Sequence, residues 1–591
     1  MRGPLWVNAQ SLPFKANIFL EPEDEILLET EDPSKILSFF EAIEKKVKKG
    51  LYGLGFFSYE LGYLLEKRLF NLYRKPEIPL SHFIFFKKKR LLPLYPLKGK
   101  PSFKIFSETL NVSKEEYLQA LSKIKDYIAS GDTYQVNFTV KFKFLFEGDP
   151  YELFQALLFS QRCQYACYFP CKDYIILSFS PELFLEKRGE KLISSPMKGT
   201  AKRAPFKTPD EKIKRSLKED LKTQAENIMI VDLIRNDLGR VCHSGSVWVK
   251  ELFKIKTYPT LHQMISTVEG NLRKTSLYEI FKALFPCGSV TGAPKIRTME
   301  IIRELEKEPR NVYTGALGFI SPKGDFLFNV AIRTALLKPF SSGLYQGELG
   351  VGAGIVWDSD PEREFEETKL KGKFFFSPLP YFELFETFLW DEENPRLKLH
   401  YKRLLNSARF FNFAIPSELK TYANFLNFLK KRLAEKEAPL RVKLILSPEG
   451  NLKIESKPLD ASTWGEKDLR VGLVKRGTPR NLFHFHKTTN REEYDFYRKK
   501  AEELGFAEIL FYNDENYLLE GTISNIFLKR EQIFLTPPLE FGLLPGILRE
   551  EMLKKGLAKE YPLKIEDLER GELYIGNSLR GLGKVRDWVI L

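Results

Sequence analysis

The stretch GVGAGIVWDSDPEREFEETKLKGK, residues 350–373, joins a glycine-rich run to an acidic turn and a helical pattern. Its glycines do not follow the G-x-G-x-x-G spacing of a dinucleotide site, and an acidic turn follows the predicted strand where that site has a helix. Closely spaced glycines let backbone N–H groups reach an anionic ligand. Glu366 and Glu367 lie just beyond the turn. The stretch therefore predicts an anion-binding strand beside a helix that carries carboxylates.

Two further carboxylates lie beside predicted element ends. Glu182 is in SPELFL at the end of a predicted strand, and Glu226 is in AENIMIVDLIRNDLGR on a predicted helix. Carboxylates from separate elements suit a hard, oxygen-preferring cation such as Mg²⁺. Each one taken alone has the sequence context of a surface residue, so only their convergence would make a site.

A lysine and a helix start complete this first group. Lys198 lies in SSPMKGTAKR, where flanking Pro and Gly residues predict a tight turn. An enclosed lysine can lose its proton and act as a nucleophile. This motif alone does not distinguish an enclosed lysine from a lysine in an exposed loop. CGSVTGAPKIRTMEII sets Gly288, Gly292 and Pro294 ahead of a helix, which predicts a helix start that faces an anion.

Bulk properties restrict the classes of protein. A chain of 591 residues predicts two to four domains, and 43% hydrophobic with 29% charged residues is a globular composition. No apolar run of eighteen residues and no signal-peptide pattern are present, so we expect no membrane span and a cytoplasmic location; five Cys make no disulfide framework. The net charge of +14 comes from Lys and Arg spread beside Glu, which predicts a solvated surface and no nucleic-acid binding.

The periodicity of apolar residues divides the chain into two units, and both are predicted to be of α/β class. Residues 1–110 mix short β-like runs with Pro-rich breaks, and SKEEYLQALSKIKDYIASGD predicts a helix from a Ser113–Glu116 capping box to Gly131. One long helix is predicted over 209–235. KGKFFFSPLPYFELFETFLW predicts a seam near residue 378. The predicted parts are therefore 1–110, 111–378 and 379–591.

The second unit carries its own group of reactive residues. Lys487 lies in HFHKTTNREEYDFYRKK, Glu520 in LLEGTISNIFL, and Gly546 just before a helix in GLLPGILRE; Ser578 lies in a turn, NSLRGLGKV. A lysine for an aldehyde, a carboxylate for a pyridinium nitrogen and helix-start amides for a phosphate are the groups that pyridoxal 5′-phosphate (PLP) needs. His484 and His486 alone predict no metal site.

The first unit resembles the chorismate-utilising family, which includes anthranilate, aminodeoxychorismate, isochorismate and salicylate synthases. The resemblance rests on PMKGTAKR, DLIRNDLGRV, GSVTGAPK, YTGALGF, FNVAIRT and GAGIVWDSDPEREFEET, within about 110–375. It implies a large sandwich of antiparallel sheets with helices, chorismate as substrate, and Mg²⁺ held by Glu226 and Glu367. It also implies that Glu182 is the general acid for loss of the C4 hydroxyl. The implied substrate contacts are Arg333 to a carboxylate, Thr291, His262 and Lys371 in the pocket lining, and the backbone of Gly352 and Gly354.

Lys198 resembles one subfamily in particular. Aminodeoxychorismate synthases read P-I-K-G-T where this chain reads P-M-K-G-T, and anthranilate synthases have a small residue in place of the lysine. The resemblance implies that the amine attacks C2 of chorismate before ammonia arrives at C4. No Cys lies in the G-x-C-x-G setting of a glutaminase, so a separate glutamine amidotransferase subunit is expected as partner; Cys163, Cys167 and Cys171 are predicted core residues.

The second unit resembles the class IV aminotransferase fold, typified by D-amino-acid aminotransferase. The matching motifs are FETFLW, HYKRLLNSARFF, the Lys487 segment, EGTISNIF and LLPGILRE. The resemblance implies that Lys487 binds the PLP aldehyde and moves protons, that Glu520 contacts the pyridine nitrogen, and that a homodimer forms. The implied phosphate contacts are Arg403, the backbone of Ile547 and Leu548, and Ser578.

The motifs leave the reaction of the second unit open, because transaminases and aminodeoxychorismate lyase share this fold. Fusion to the first unit favours the lyase, which would release pyruvate and give 4-aminobenzoate for folate synthesis. One alternative is fusion to a D-amino-acid or branched-chain aminotransferase. A second alternative, a non-catalytic basic binding protein, is disfavoured by the complete motif sets.

Overall fold

The computed structural model describes residues 3–99, 102–205, 207–258, 261–391, 394–434, 439–459, 464 and 468–591. The chain forms two compact units, Met1–Tyr381 and Phe382–Leu591, so the boundary lies close to the predicted seam. Residues 1–110, which the sequence sets apart, contribute strands to the same sheet as the rest of the first unit.

Strands dominate the first unit, as the alternating apolar pattern of its sequence requires. Over the described residues they are β1 (Leu5–Asn8), β2 (Phe14–Leu28), β3 (Tyr52–Phe57), β4 (Ser81–Leu94), β5 (Lys104–Leu110), β6 (Gln135–Glu147), β7 (Tyr165–Pro170), β8 (Ile175–Ser180), β9 (Leu183–Arg188), β10 (Lys191–Ser195), β11 (Met197–Lys202), β12 (Trp248–Thr257), β13 (Leu261–Asn271), β14 (Gly292–Ala293), β15 (Ala316–Ile320), β16 (Phe326–Val330), β17 (Thr334–Ser341) and β18 (Leu344–Ile355).

All pairings among these strands are antiparallel. One continuous path of paired strands runs β5–β6–β18–β17–β8–β7–β1–β2–β4–β3–β15–β16–β9–β10–β13–β12, with β14 joined to β6 and β11 joined to β13. Apolar side chains gather on both sides of this path, in clusters that include Phe57, Phe281 and Phe328 on one side and Phe56, Phe169 and Leu317 on the other. The predicted antiparallel α/β architecture is confirmed.

Over the described residues, five helices of the first unit begin at a side chain that accepts a hydrogen bond from one of their free N–H groups, and three others have no such cap. The helices of this unit are α1 (Ser34–Lys48), α2 (Leu61–Leu65), α3 (Lys114–Ala129), α4 (Pro150–Gln161), α5 (Lys207–Glu219), α6 (Leu221–Gly239), α7 (Leu277–Leu284), α8 (Lys295–Leu305) and α9 (Pro361–Phe376). The predicted capping box of α3 is confirmed, with the Ser113 N–H donating to Glu116 Oε2 over 2.8 Å and the Glu116 N–H donating to Ser113 Oγ over 3.2 Å.

The prediction of one long helix over 209–235 was wrong, because the helix divides at Asp220. This residue has extended backbone (φ −69°, ψ 109°), and its carboxylate accepts the Thr223 N–H at 2.8 Å. An aspartate that bonds the backbone three residues on starts a new helix. The break therefore gives a separate N-terminus to α6, the helix that carries Glu226.

The second unit combines two sheets with four helices over its described residues. The helices are α10 (Leu397–Phe410), α11 (Tyr422–Leu433), α12 (Glu492–Glu503) and α13 (Ile547–Lys554). The strands are β19 (Leu384–Trp390), β20 (Leu440–Leu446), β21 (Leu452–Pro458), β22 (Leu469–Lys475), β23 (Glu508–Tyr512), β24 (Leu518–Gly521), β25 (Asn525–Arg530), β26 (Ile533–Thr536), β27 (Ala558–Glu560), β28 (Glu572–Asn577) and β29 (Gly581–Ile590).

The two sheets of this unit differ in pairing. Strands β19, β20 and β21 form an antiparallel sheet, whereas the larger sheet is mixed: β22 is parallel to both β23 and β29, and β26 is parallel to β27. The larger sheet closes through a β24–β25 pairing around a core that includes Leu473, Leu510 and Ile526. No helix of the described residues is long and apolar enough to cross a membrane.

Candidate active sites

Glu182 occupies the break between β8 and β9, where Pro181 interrupts an otherwise continuous strand pattern. Its side chain is buried and accepts a 2.6 Å hydrogen bond from Ser289 Oγ. Burial raises the pKa of Glu182 to about 7, against the opposing effects of Ser289 and the Lys198 charge. A carboxyl with this pKa keeps a large protonated fraction at neutral pH, which is what a general acid needs.

Lys198 lies on β11, and the backbone conformation of the adjacent glycine fixes the position of this lysine. Gly199 has φ +87°, and a Cβ there would lie 2.1 Å from Thr223 Cγ2, so only glycine fits this turn. Burial lowers the pKa of Lys198, while the charges of Glu226 and Glu182 oppose that shift. The structure therefore brings the predicted nucleophile and the predicted acid into one electrostatic environment.

The glycine-rich strand β18 lies directly against Lys198. A Cβ at Gly354 would lie 3.2 Å from Lys198 Nζ and 3.0 Å from Gln135 Nε2. A Cβ at Gly352 would lie 3.1 Å from Asn137 Nδ2, and the Gly352 carbonyl accepts a 3.1 Å hydrogen bond from Lys371 Nζ. These close approaches explain the run of glycines and place Lys371 beside it.

The predicted metal-binding carboxylates come from α6 and α9. Burial raises the pKa of Glu364, and the nearby charges of Glu367 and Glu226 raise it further. Glu367 is 57% exposed and forms a 2.9 Å ion pair with Lys371, whereas Glu366 pairs outward with Lys369. Carboxylate oxygens are the donors that a hard divalent cation prefers. The ligand oxygens of Glu226, Glu364 and Glu367 do not all lie within 4.8 Å of one another, so the structure does not bring these three described residues together as a closed metal site. Glu364 was missed by the sequence analysis, although its i, i+3 spacing to Glu367 places both on one helix face.

Two predicted pocket-lining side chains have partners within the protein. His262 Nε2 lies 2.9 Å from Asp210 Oδ1, and its Nδ1 lies 3.0 Å from Thr257 Oγ1. The Thr291 hydroxyl donates to the Cys287 carbonyl over 3.1 Å. Both ring nitrogens of His262 are thus used in a buried network, and the described contacts do not bring it against Lys198.

Arg333, predicted to bind a substrate carboxylate, is held in the left-handed region at φ +50°. Its Nη1 donates to Gln161 Oε1 over 3.2 Å. Burial lowers its pKa, and Tyr258 and Cys163 are the neighbours that oppose the shift. A half-buried guanidinium with one side-chain acceptor among the described residues retains donors for an anion, because the group carries five.

Two glutamines that the sequence analysis missed present unsatisfied amides. Gln135 is fully buried, and neither its Nε2 nor its Oε1 has a partner among the described residues. The Gln263 Oε1 is likewise buried without one. Gln263 shares a face of β13 with Ile265, which packs against Met197 and Tyr258. A buried amide without a hydrogen-bond partner is energetically costly, so such amides mark surfaces shaped for a polar ligand. The only sequence signal for these two glutamines is their position in the alternating pattern of the predicted strands.

Lys487 opens into a pocket of about 420 Å³ in the second unit. Its Nζ lies 4.6 Å from the centre of the Phe385 ring. Burial lowers the pKa of Lys487 to about 7, and the cations Arg491 and Arg403 lower it in the same direction. A large fraction of this amine is therefore uncharged at neutral pH and can attack an aldehyde.

Glu520 faces the same pocket and is held by three donors. Tyr494 OH donates to Oε1 over 2.6 Å, Arg476 Nη2 donates to Oε1 over 3.2 Å, and the Leu544 N–H donates to Oε2 over 2.9 Å. Burial raises the pKa of Glu520 against these contacts. Arg476 and Tyr494 position the carboxylate and were not predicted.

The start of α13 forms the third corner of the pocket, after those occupied by Lys487 and Glu520. Arg403 donates to both oxygens of Glu386 at 2.7 Å and to the Pro545 carbonyl at 2.9 Å, which fixes its guanidinium beside Gly546. The contact with Arg403 holds the pKa of Glu386 at about 2 in spite of its burial. The first N–H groups of a helix lack intrahelical acceptors, so this corner fits a phosphate.

The remaining predicted phosphate contacts fall into two groups: residues that line the pocket, and one residue whose side chain lies in the core. Ile547 and Ser578 line the pocket, and the Ser578 carbonyl accepts from Arg396 Nη1 over 3.2 Å. The side chain of Leu548 instead packs against Phe527 in the core, so only its backbone N–H is available to a phosphate at the start of α13. An amine, a carboxylate and a phosphate-binding corner around one cavity match the aldehyde, ring nitrogen and phosphate of PLP.

Comparison with known proteins identifies the family of each unit. The family of chorismate binding enzymes matches residues 4–377, and the family of class IV amino-transferases matches residues 383–588. Anthranilate synthase component 1 of Aquifex aeolicus is 38% identical over 278 residues, 47% of this chain and 55% of that protein. Aminodeoxychorismate synthase component 1 of Klebsiella aerogenes is 39% identical over 259 residues, 44% of this chain and 56% of that protein.

The chain thus spans little more than half the length of these relatives. Among solved structures, anthranilate synthase component I from Streptococcus pneumoniae TIGR4 aligns with a TM-score of 0.53 at 24% identity, covering 61% of this chain and 92% of that one, and so shares the fold of the first unit. The resemblance to both families is confirmed. Because the first match takes in most of residues 1–381 and well over half of the whole chain, the protein belongs to the chorismate binding enzymes, and its second unit is a class IV amino-transferase domain.

Proposed function

We propose that the chain is a bifunctional enzyme that converts chorismate and ammonia into 4-aminobenzoate and pyruvate. The observation that carries the proposal is the pair formed by Lys198 and Glu182, a buried amine beside a carboxyl with a pKa of about 7. Relatives named aminodeoxychorismate synthase component 1 support amination as the first reaction. The fused class IV domain supports removal of pyruvate as the second.

In the first unit, the uncharged Lys198 amine attacks C2 of chorismate, the two conjugated ring double bonds shift to C1=C6 and C4=C5, and the C4–O bond breaks. Glu182 gives its proton to the departing hydroxyl, which leaves as water. Ammonia then forms the C4–N bond and Lys198 leaves C2, so the enzyme is regenerated. Glu226, Glu364 and Glu367 would hold Mg²⁺, whose charge would bind a substrate carboxylate.

In the second unit, Lys487 is placed to take the proton from the ring carbon that bears the amino group. Loss of that proton and of the enolpyruvyl group leaves an aromatic ring, which drives the step. When bound, PLP supplies an electron sink for that carbon. Glu520 would hold the ring nitrogen, and Arg403 with the α13 amides would hold the phosphate.

Ammonia supply and assembly complete the proposal. The name component 1 of the relatives supports a separate glutamine amidotransferase subunit as the source of ammonia. We also propose a homodimer formed through the class IV domain and a cytoplasmic location. Free ammonium should replace the glutaminase in vitro, which makes the chain testable alone.

The test is a product assay on the full chain with chorismate, Mg²⁺, ammonium and PLP. We expect equal amounts of 4-aminobenzoate and pyruvate without any added amino acceptor. Omission of ammonium should stop both products, and removal of PLP should leave 4-amino-4-deoxychorismate. Formation of anthranilate, or a requirement for a keto acid, would contradict the proposal.

A further inference from the structure

The Lys487 pocket carries more positive charge than an amine and a phosphate corner require. Lys443, Arg441 and Arg580 also line it. We call these three residues the basic wall. No carboxylate of the described residues lies within 4.0 Å of their charged nitrogens. Unpaired cations that share a partly enclosed cavity raise the local concentration of anions.

The acids that line the pocket do not neutralise this wall. Over the described residues they are Glu520 and Asp495. Glu520 is paired with Arg476 at 3.2 Å, and Asp495 is paired with Arg491 at 2.7 Å. Glu455 on β21, opposite Lys443, and Glu508 and Glu502, whose charges raise the pKa of Arg580, form no ion pair with these cations among the described residues. The three cations therefore keep donors for an anionic ligand.

The basic wall runs outward from the reacting amine. Lys487 Nζ and Lys443 Nζ lie 4.6 Å and 5.2 Å from the centre of the same Phe385 ring. Lys443 and Arg441 are two residues apart on β20, so they share one face. Burial lowers the pKa of Arg580, and the neighbouring Arg441 charge is among the groups that lower it further. The three cations thus form a connected series beginning beside Lys487.

The phosphate corner does not use these residues. Arg403 is anchored to Glu386 and to the Pro545 carbonyl at the start of α13. Lys443 instead lies on β20, opposite Thr387 of β19. A cofactor held at α13 therefore leaves the basic wall facing the substrate side of the pocket.

We propose that Lys443, Arg441 and Arg580 form a subsite for a second substrate carboxylate, so that the second unit selects dicarboxylates. This rests on the proposed function and refines it. An ordinary amino acid has one carboxylate, next to its amino group. 4-Amino-4-deoxychorismate has one on the enolpyruvyl group beside the amine and another across the ring, farther from Lys487. The basic wall extends in the direction of the farther one.

The kinetic test uses the PLP-loaded full chain and follows pyruvate release from 4-amino-4-deoxychorismate. Lys443→Gln and Arg580→Gln should each raise KM about 10-fold, the usual effect of losing a charge-assisted contact, with a smaller change in kcat. Lys443→Arg should restore KM to within about 3-fold. Lys402→Gln, an exposed change on α10, is the matched control. Unchanged KM in both Gln variants overturns the subsite.

A binding test separates the subsite from the lyase reaction. The PLP absorption band is titrated with 3-(1-carboxyvinyloxy)benzoate, a dicarboxylate, and with 2-phenoxyprop-2-enoate, a monocarboxylate that keeps the enolpyruvyl carboxylate and lacks the ring carboxylate; binding to the first unit gives no cofactor signal. The Gln variants should weaken only the dicarboxylate, by about 10-fold. Equal weakening of both probes overturns the subsite. Selective weakening without pyruvate release by any chain supports the subsite and contradicts the lyase function.

Discussion

Each unit encloses the lysine that is its proposed catalytic residue, and the leading charges around the two lysines differ in sign. Around Lys198, burial lowers the pKa while Glu226 and Glu182 oppose the shift. Around Lys487, burial lowers the pKa to about 7 and the cations Arg491 and Arg403 add to the shift. Burial is the shared cause, and the sign of the leading charges is the difference, although Lys371 also lowers the pKa of Lys198 and Glu386 and Glu520 raise that of Lys487.

This contrast matches the two proposed reactions. Lys487 must be uncharged before any substrate arrives, because it binds an aldehyde, and neighbouring cations serve that end. Lys198 attacks a ring from which a hydroxyl must depart, so it needs an acid beside it more than it needs a strongly lowered pKa. Glu182 supplies that acid and, as a charge, tends to keep Lys198 protonated.

The largest expected effect comes from Lys487→Ala. The variant should aminate chorismate normally, accumulate 4-amino-4-deoxychorismate and release no detectable 4-aminobenzoate, because it lacks the amine proposed to bind the aldehyde and to take the proton. Chromatography of the products, with the loss of the lysine-bound PLP absorption band, checks this. Lys475→Ala, an exposed change on β22, is the control. An undiminished yield of 4-aminobenzoate would show that Lys487 has no catalytic role.

Lys198→Ala should come second, with amination by ammonium slowed about 10³-fold or more if the covalent step is lost. The second unit should still convert added 4-amino-4-deoxychorismate at the full rate, which shows that the chain is folded. Lys202→Ala, four residues along β11 and exposed, serves as the matched control. Amination at the full rate in Lys198→Ala would contradict the role of Lys198 as nucleophile.

Much of this contrast could be anticipated from sequence. The motifs around Lys198 and Lys487 are local, the capping box of α3 needs only Ser113 and Glu116, and both family matches are confirmed. The strand break that holds Glu182 is also local, because Pro181 interrupts an apolar alternation.

Long-range contacts could not be anticipated in the same way. His262 is engaged by Asp210, which lies 52 residues away, and Arg476 reaches Glu520 across 44 residues. Gln135 and Gly354 meet only because β6 pairs with β18. Sequence periodicity indicates which face of a strand is apolar, but register decides which side chains meet there.

Glu182→Gln should slow amination about 10²- to 10³-fold, since a proton donor typically contributes that much. It should also change stability with pH. The pKa of Glu182 in the folded protein, about 7, exceeds its ordinary value of 4.5, so the carboxylate destabilises the fold increasingly as pH rises from 4.5 to 7. The variant should therefore have a higher Tm than the parent at pH 8 and an equal one near pH 4.

Calorimetry at both pH values measures this change, with the exposed Glu190→Gln as control. The upper limit of the gain is about 3 kcal/mol, the equivalent of a shift of about 2.5 pKa units. A Tm at pH 8 below that of the parent, with Glu190→Gln unchanged, would mean that Glu182 stabilises the fold as a carboxylate, which contradicts its proposed role as a protonated acid.

The smallest effect tests the electrostatic contrast itself. Arg491→Met removes the leading cation that lowers the pKa of Lys487, so this pKa should rise by up to about one unit. Because PLP reacts with the uncharged amine, the pH for half-maximal PLP binding should rise by the same amount. Absorption spectra of the apo-protein mixed with PLP across pH 6–9 measure it, with the exposed Lys499→Met on α12 as control. Arg491 also bonds the Thr522 carbonyl at 2.9 Å, so circular dichroism must confirm an intact fold. An unchanged or lower midpoint would mean that Arg491 does not lower the Lys487 pKa, and the contrast between the two lysines would lose its leading cation.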